Sequence, residues 1–256
     1  MKKNIIFCYS GTGNCLASAK QLGAELEMEI VHITNELVTS NSTFEGEVGI
    51  IIFPVYAYGM PKTVKRFIRK NKFAFEYFAV LTTFGSRPLG AYGEAIRLLR
   101  RRKQRVAYTD GAISVENFVH MFKLPTEERI AELTEIQHNE TKRLAESIRN
   151  RKRNRRCTFR PISSFISFLF RTVCPMFAKR YKVTDACTGC EVCYKICPAT
   201  AITMQESRPK FLHKKCDHCQ GCMQLCPARA IRFGKIKPDS RRYKHSDVST
   251  KDMIKR

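Results

Sequence analysis

Eight of the twelve cysteines in this 256-residue chain occur in two copies of one spacing, and thiolates are versatile metal ligands. In each copy, pairs of residues separate three cysteines, and a fourth cysteine follows after three residues, just before a proline. The first copy contains Cys187, Cys190, Cys193 and Cys197, and the second contains Cys216, Cys219, Cys222 and Cys226. Three closely spaced thiolates on a tight loop can hold three corners of an iron–sulfur cubane. The fourth ligand must then come from farther away, because the chain turns off as a helix after the third cysteine.

The two copies form an internal repeat that extends beyond the cysteines. Pro198, Ala199, Ala201 and Ile202 are matched, 29 residues later, by Pro227, Ala228, Ala230 and Ile231. Zinc is one alternative, and it favours two CxxC pairs. Disulfides are another, and they are typical of small secreted domains. Neither alternative requires this spacing twice with a trailing proline, so the repeat favours iron–sulfur clusters.

The cysteine pattern resembles that of bacterial ferredoxins with two [4Fe-4S] clusters, in which the fourth cysteine of each copy ligates the other cluster. The resemblance implies a small α+β ferredoxin domain over residues 181–235 with crossed ligation. One cluster would be held by Cys187, Cys190, Cys193 and Cys226, and the other by Cys216, Cys219, Cys222 and Cys197. Residues 203–215, between the copies, are expected to form a hairpin.

A glycine-rich loop near the N-terminus is the second candidate site. The apolar run from Asn4 to Tyr9 is typical of a buried parallel strand, and apolar residues at helical spacing follow the loop. The loop consists of Ser10, Gly11, Thr12, Gly13, Asn14 and Cys15. Between a strand and a helix, its backbone N–H groups and the helix dipole favour an anion. It fits neither the Walker A nor the GxGxxG pattern.

Residues 9–14 resemble the flavodoxin signature T/S-x-T-G-N-T, whose hydroxyls and amides wrap the phosphate of flavin mononucleotide (FMN). The resemblance implies that Ser10, Thr12, Gly13 and Asn14 bind this phosphate. Cys15 occupies the position where flavodoxins usually have threonine, so one hydroxyl donor is missing while the backbone N–H remains.

The first 150 residues alternate between strand and helix patterns, as a doubly wound α/β sheet does. Strands are expected at 4–9, 29–33, 48–53, 77–83 and 106–115, the last interrupted at Asp110-Gly111. In the flavodoxin order 2-1-3-4-5, a ligand lies at the carboxyl ends of the strands, beside the switch between strands one and three. The loops at 10–15, 54–60 and 83–90 converge there.

A flavin ring needs flat partners, and the second of these loops offers two tyrosines. Because flavodoxins stack an aromatic side chain from this loop on the ring, the resemblance nominates Tyr56 first and Tyr58 second. The third loop would supply backbone contacts to the ring edge from Thr83, Phe84, Gly85 and Ser86. Asn117 is a further candidate on topology alone.

Two segments lie outside these domains. Residues 151–180 form a connector in which a basic run, beginning at Arg149, precedes an apolar stretch. That combination suits an anionic membrane surface, but packing between the two domains is the favoured interpretation. Residues 236–256 form a polar, basic tail that is expected to lie across the surface or stay disordered.

The formal net charge of +23 favours acidic partners. An acidic redox protein is expected, and peripheral contact with an anionic membrane is possible. Nucleic acid is not expected, because no aromatic platform or reader motif accompanies the basic run. The sequence contains no transmembrane-length apolar run and does not begin as a signal peptide does, so a reducing cytoplasm is expected.

The whole chain resembles flavodoxin–ferredoxin fusions. The expected function is electron transfer between two [4Fe-4S] clusters and FMN, in the service of a redox partner. Two alternatives remain: a flavin-dependent reductase of a small molecule such as a quinone, and a redox-sensing protein that docks a partner through its basic surface. No constellation of catalytic acid, base or nucleophile can be recognised.

Overall fold

A five-stranded parallel sheet with strand order β2-β1-β3-β4-β5 forms the centre of the computed structural model. The structure describes residues 3–88, 90–154, 161–236 and 240–254. The strands are β1 Ile5–Cys8, β2 Glu29–His32, β3 Thr43–Pro54, β4 Lys72–Phe84 and β5 Tyr108–Ile113. This order confirms the flavodoxin-like fold class, and the switch lies where β1 separates β2 from β3.

Five helices cover the two faces of the sheet. They are α1 Asn14–Leu26, α2 Asn35–Thr39, α3 Lys62–Lys70, α4 Ala91–Arg101 and α5 Glu127–Arg149. One apolar core joins α1 and α5 to the sheet, and a second core, rich in phenylalanine, joins α3 and α4 to the opposite face. Thr126 caps α5 by accepting a hydrogen bond from the backbone N–H of Arg129 at 3.3 Å.

The expected interruption of the fifth strand is wrong. β5 runs continuously through Asp110 and Gly111, which pair with β4. The buried Asp110 carboxylate accepts hydrogen bonds from Arg143 at 2.8 Å and from the Tyr108 hydroxyl at 3.0 Å. The backbone N–H of Gly111 also donates to this carboxylate, at 2.9 Å, so three donors satisfy the buried side chain while β5 stays paired with β4.

The cluster region is built from short elements. β6 Tyr181–Val183 pairs with β9 Ile231–Phe233, and β7 Ile202–Gln205 pairs with β8 Arg208–Phe211 as a hairpin. α7 Val192–Lys195 and α8 Gly221–Gln224 follow the two cysteine loops. The pairing of β6 with β9 brings the two ends of the ferredoxin domain together. Its short strands and helices confirm the predicted α+β class. The domain boundaries at 150, 180 and 235 remain predictions.

The apolar part of the connector forms α6 Pro161–Ala178, which packs on the flavodoxin domain through one side. Arg171 donates to the carboxylate of Glu94 at 2.9 Å, and Lys65 donates to the same carboxylate at 2.8 Å. Gly59 lies so close to Ser167 that a built Cβ would stand 1.8 Å from the serine hydroxyl. The connector therefore packs between elements of the protein, and only glycine fits at position 59. Residues 155–160, which include the end of the basic run at Arg155 and Arg156, lie outside the described residues.

The tail was expected to lie across the surface or stay disordered, but part of it is buried. Val248 and Met253 are fully buried in the core formed by α1, α5 and the sheet. Tyr243 is also buried, and its hydroxyl donates to the side-chain carbonyl of Asn14 at 2.7 Å. These few apolar side chains complete an existing core rather than forming one of their own. No helix in the described part of the chain is long and apolar enough to cross a membrane.

Candidate functional site: two cluster sites and an adjoining cavity

The cysteines of the two copies are grouped as the crossed pattern implies. One small cavity is lined by Cys187, Cys190, Cys193 and Cys226; we call it the first cluster site. Another is lined by Cys197, Cys216, Cys219 and Cys222; we call it the second cluster site. Each site thus draws three cysteines from one copy and one from the other, which is the ligand set of a cubane.

The thiols fit a metal cluster chemically. Burial, with a further contribution from the nearby Cys226, raises the pKa of Cys193 to about 12. Burial likewise holds the pKa of Cys222 well above its usual range, with neighbouring cysteines adding to the effect. Thiolates in such surroundings require positive charge beside them, which cluster iron supplies.

Backbone conformation repeats with the sequence. Glu191 and Gln220 precede α7 and α8 with φ of 59° and 62°. Gly189 has φ of 69°, and its counterpart one repeat later is His218, with φ of 61°. A non-glycine residue in the left-handed region is uncommon, and such strain concentrates at functional sites.

Two backbone N–H groups donate to sulfurs of the second cluster site. His218 donates to Sγ of Cys216, and Ala201 donates to Sγ of Cys197, each at 3.3 Å. Such bonds stabilise the more negative, reduced state of a cluster and so raise its reduction potential.

A larger cavity of about 470 Å³ adjoins the second cluster site, and all three predicted loops line it. The predicted flavin-site residues that line it are Ser10, Gly11, Thr12, Asn14, Cys15, Tyr56, Tyr58, Thr83, Phe84, Gly85 and Ser86. Gly13, at the start of α1, does not line it. Cys219 does, alone among the cluster cysteines. The second cluster site is therefore the one beside this cavity.

The phosphate-loop residues lie at the buried end of the cavity. Gly13 has φ of 110°, and the Ser10 hydroxyl accepts from its N–H at 3.1 Å. Asn117 donates to the Thr12 hydroxyl at 2.5 Å, so that hydroxyl can donate its own hydrogen to an anion. The side chain of Asn14 bonds to Val115 and Tyr243 instead, so its amide group is already engaged within the protein.

Cys15 is buried, and its sulfur lies 3.1 Å from the Thr83 hydroxyl. This contact joins the phosphate loop to the end of β4. The thiol therefore connects two of the loops that line the cavity, at the position where flavodoxins usually have threonine.

The tyrosine loop is a tight turn. Tyr56 and Gly59 exchange two backbone hydrogen bonds of 2.9 and 3.0 Å, and both intervening residues have positive φ. These are Ala57 at 44° and Tyr58 at 65°, which makes a type I′ turn without its usual glycine or asparagine. The turn directs Tyr58 to the exposed rim of the cavity, while Tyr56 is half-buried, edge-on to Tyr9.

The two domains meet where the phosphate loop touches the second cysteine loop. A Cβ on Gly11 would lie 2.8 Å from Cβ of Cys219, and a Cβ on Gly221 would lie 2.4 Å from the carbonyl oxygen of Gly11. Burial holds the pKa of Tyr56 well above its usual range, and negative charge at Cys219 and Cys15 raises it further. The phenol beside this contact therefore stays neutral.

Several lining residues were not found from the sequence. They come from the segment after β5, from α6 and from the second cysteine loop: Ser114, Val115, Glu116, Phe118, Met121, Phe122, Ile166, Leu169, Phe170, Val173 and His218. Phe118 packs against Phe170 and His218 at centroid distances of 6.1 and 5.4 Å. The apolar stretch of 165–173 was the only sequence signal for any of them, and it did not indicate a cavity.

Comparison with known proteins agrees with this arrangement. Residues 186–230 match the family described as "4Fe-4S dicluster domain". No curated protein sequence matches the chain. Among solved structures, a flavodoxin from Fusobacterium nucleatum bound to flavin mononucleotide is 10% identical, covering 60% of this chain and 100% of that chain with a TM-score of 0.39. A WrbA-like flavodoxin from Agrobacterium tumefaciens is 16% identical, covering 59% and 100% with a TM-score of 0.35.

The strand order and parallel pairing of the larger domain assign it to the flavodoxin-like fold. The smaller domain is assigned by its family match and by the grouping of its cysteines. The chain therefore joins a flavodoxin-like α/β domain to a ferredoxin domain that carries two [4Fe-4S] clusters.

Proposed function

We propose that this protein is an electron-transfer flavoprotein in which FMN occupies the 470 Å³ cavity beside the second cluster site. The observation that carries the proposal is that one cavity is lined both by the phosphate loop and by Cys219. Its volume falls within the range of about 300–1,000 Å³ typical of ligand pockets. A cofactor there would be in contact with the loop that holds the second cluster.

The chain offers distinct groups to the two ends of the cofactor. The Thr12 hydroxyl and the N-terminus of α1 would bind the phosphate, since both present hydrogen-bond donors to an anion. Tyr58 and Phe118 offer flat surfaces to the ring, and the backbone of 83–86 would contact its edge. Each [4Fe-4S] cluster supplies one-electron transfer, and FMN supplies exchange of one or two electrons.

An acidic redox protein is proposed as the partner at the first cluster site. Cys190 is exposed there, whereas Cys219 of the second site is covered by the flavodoxin domain. The formal charge of +23 would steer an acidic partner towards this surface. The rate of reduction by such a partner would then fall steeply as ionic strength rises.

The test begins with the anaerobically purified protein. Its ultraviolet–visible spectrum should contain flavin bands above the broad cluster absorbance, and extraction should release FMN. In the apoprotein reconstituted with FMN, Thr12→Ala and Tyr58→Ala should each weaken flavin binding. Unchanged flavin affinity in both variants would show that this cavity does not bind the flavin. The iron content of the protein tests the clusters separately.

A second candidate is a flavin-dependent reductase of a small molecule such as a quinone. The observation that favours it is the exposed, largely apolar rim of the cavity, where Met121 and Phe122 lie beside α6. Steady turnover with a small acceptor and no protein partner would support the reductase. Rapid cluster oxidation only in the presence of a protein acceptor would favour the electron carrier.

A further inference from the structure

Exposed apolar side chains are concentrated on a single part of the surface. Among the residues that the structure describes, ten large apolar side chains are exposed, and all belong to α6, to positions 121–122 or to the tyrosine turn. They are Tyr58, Met121, Phe122, Ile162, Phe165, Ile166, Phe168, Leu169, Met176 and Phe177, and we call them the apolar face. Contiguous exposed apolar surface of this kind marks an interaction site.

The apolar face is not the side of α6 that packs on the protein. Ser167 and Ala178 are buried, and Arg171 reaches inward to Glu94. Phe165 and Phe168, by contrast, are 65% and 61% exposed. The helix therefore turns Ser167, Arg171 and Ala178 towards the protein and leaves most of its large aromatic and aliphatic side chains outside, the reverse of a normal surface helix.

Exposed lysines lie beside the apolar face. Lys123 is exposed next to Phe122, and Lys179 is exposed directly after α6. An acidic protein would match these charges, but it would leave the many protruding aromatic and aliphatic side chains unexplained. An anionic bilayer accounts for both, because lipid headgroups bind the cations while the apolar side chains enter the acyl boundary.

The apolar face is continuous with the mouth of the cavity. Tyr58, Met121, Phe122, Ile166 and Leu169 belong to both. We propose that α6 and residues 121–122 dock this protein on an anionic membrane surface, with the mouth of the cavity turned towards the lipid. One consequence rests on the proposed flavin. With a flavin in the cavity, lipid-soluble electron acceptors would be the substrate class, because they could reach the cavity from the membrane without crossing water.

The test is vesicle flotation of the full-length, cluster-containing protein, which requires no flavin and so does not depend on the proposed function. The protein should float with vesicles of phosphatidylcholine mixed with phosphatidylglycerol and much less with phosphatidylcholine alone. The pair Phe165→Gln and Phe168→Gln should reduce binding by about tenfold or more, since two apolar anchors are removed without a charge change. The pair Lys123→Gln and Lys179→Gln should also reduce it by about tenfold or more.

The matched control is the pair Arg69→Gln and Lys70→Gln. It removes the same charge from exposed positions at the C-terminal end of α3, at the opposite edge of the sheet from the cavity. This control should bind vesicles almost as the unaltered protein does. Because the chain contains no tryptophan, Phe168→Trp provides a second readout, and its emission should shift to shorter wavelength on adding mixed vesicles.

Three outcomes would overturn the proposal. One is the absence of flotation and of any emission shift with mixed vesicles. Another is equal loss of binding in the Arg69/Lys70 and Lys123/Lys179 pairs with none in the phenylalanine pair, which would indicate adsorption through overall charge. The third is a dimer that the phenylalanine pair converts to a monomer, without vesicle binding, which would assign the apolar face to contact between two copies.

Discussion

The Tyr9 hydroxyl donates a hydrogen bond of 2.9 Å to the carboxylate of Asp217, joining the end of β1 to the second cysteine loop. The same carboxylate oxygen accepts from the backbone N–H of Thr63 at 3.1 Å, in the first turn of α3. Asp217 directly follows Cys216 in the chain and is almost completely buried. One carboxylate from the ferredoxin domain thus caps a helix of the flavodoxin domain and fixes the second cluster site against the sheet.

Asp217→Ala should destabilise the protein, because it leaves two buried donors without an acceptor. Each orphaned donor costs about 1–3 kcal/mol, so the midpoint of anaerobic urea unfolding, followed by circular dichroism, should fall clearly. Tyr9→Phe removes one donor and keeps the cap on α3, so its effect should be smaller. A larger effect of Tyr9→Phe than of Asp217→Ala would show that the cap contributes nothing.

Gly221→Ala should separate the two domains. The new Cβ would stand 2.4 Å from the carbonyl oxygen of Gly11, and neither backbone can yield cheaply. We expect a loss of about 1–3 kcal/mol in the free energy of unfolding and weaker flavin binding, since the phosphate loop must move.

The matched control for this change is Gly23→Ala in α1. Its nearest backbone contact would be 3.1 Å away, and alanine favours the helix by about 1 kcal/mol. Flavin titration and urea unfolding of both variants test whether the losses are specific to Gly221→Ala. Equal losses in the two would mean that the close approach at Gly11 has no special role.

Glu94→Gln should loosen α6. Burial raises the pKa of Glu94, but the hydrogen bond from Lys65 and the charge of Arg171 lower it more, so the carboxylate remains charged. Neutralising it leaves Arg171 without its anion, and we expect the stability to fall by about 1–3 kcal/mol. Lys20→Gln, which breaks an exposed ion pair with Asp252, should cost less than about 1 kcal/mol. If the two variants unfold at the same urea concentration, the buried pair does not hold the helix.

The free energy of unfolding should decrease as the pH is lowered from 6.5 to 5, and the buried His245 should be one cause. Burial lowers the pKa of His245 from 6.5 to about 4, so the unfolded chain binds a proton that the folded protein does not bind in this range. The stability is complete above pH 6.5 and decreases as the pH falls, by about 2 kcal/mol at pH 5 for this one group. His245→Asn should reduce the pH dependence of the unfolding midpoint without abolishing it, because burial also lowers the pKa of His120 to about 3 and that of His218 to about 4. An unchanged slope would exclude His245 as its source.

The two cluster sites should affect the flavin unequally. Cys219→Ala removes a residue that lines the cavity, so it should both abolish the signal of one cluster in electron paramagnetic resonance and weaken flavin binding. Cys190→Ala should abolish one cluster signal and leave flavin affinity within about twofold, since Cys190 lies at the first cluster site. Equal losses of flavin affinity would contradict the assignment of the second site as the neighbour of the cavity.

The sequence predicted what depends on local pattern. The apolar run at 48–53 indicated a strand, and β3 contains it but begins at Thr43, because an alternating stretch before the run also pairs with β4. The strand order followed from the flavodoxin resemblance, and the convergence of the three loops followed from that order. The cysteine spacing predicted which cysteines share a cluster site, because three thiolates on one short loop can hold only three corners of a cubane.

The rest depends on contacts between residues far apart in sequence. Nothing near Ser167 indicates that α6 packs against Gly59, and the polar composition of the tail hides the burial of Val248 and Met253. The left-handed conformation of His218 was also hidden, because the matching position in the first repeat is Gly189. Such features require the partner surface to be known before the residue can be interpreted.

The contact of the tail with the phosphate loop has a consequence for synthesis. The backbone N–H of His245 donates to the carbonyl of Thr12 at 3.0 Å, and the Tyr243 hydroxyl holds the side chain of Asn14. These residues leave the ribosome after both cysteine repeats, whereas the loop that they complete emerges before either repeat. Because domains usually fold from the N-terminus during synthesis, this loop would be completed only after both cysteine repeats have emerged, with iron insertion able to precede nucleotide uptake.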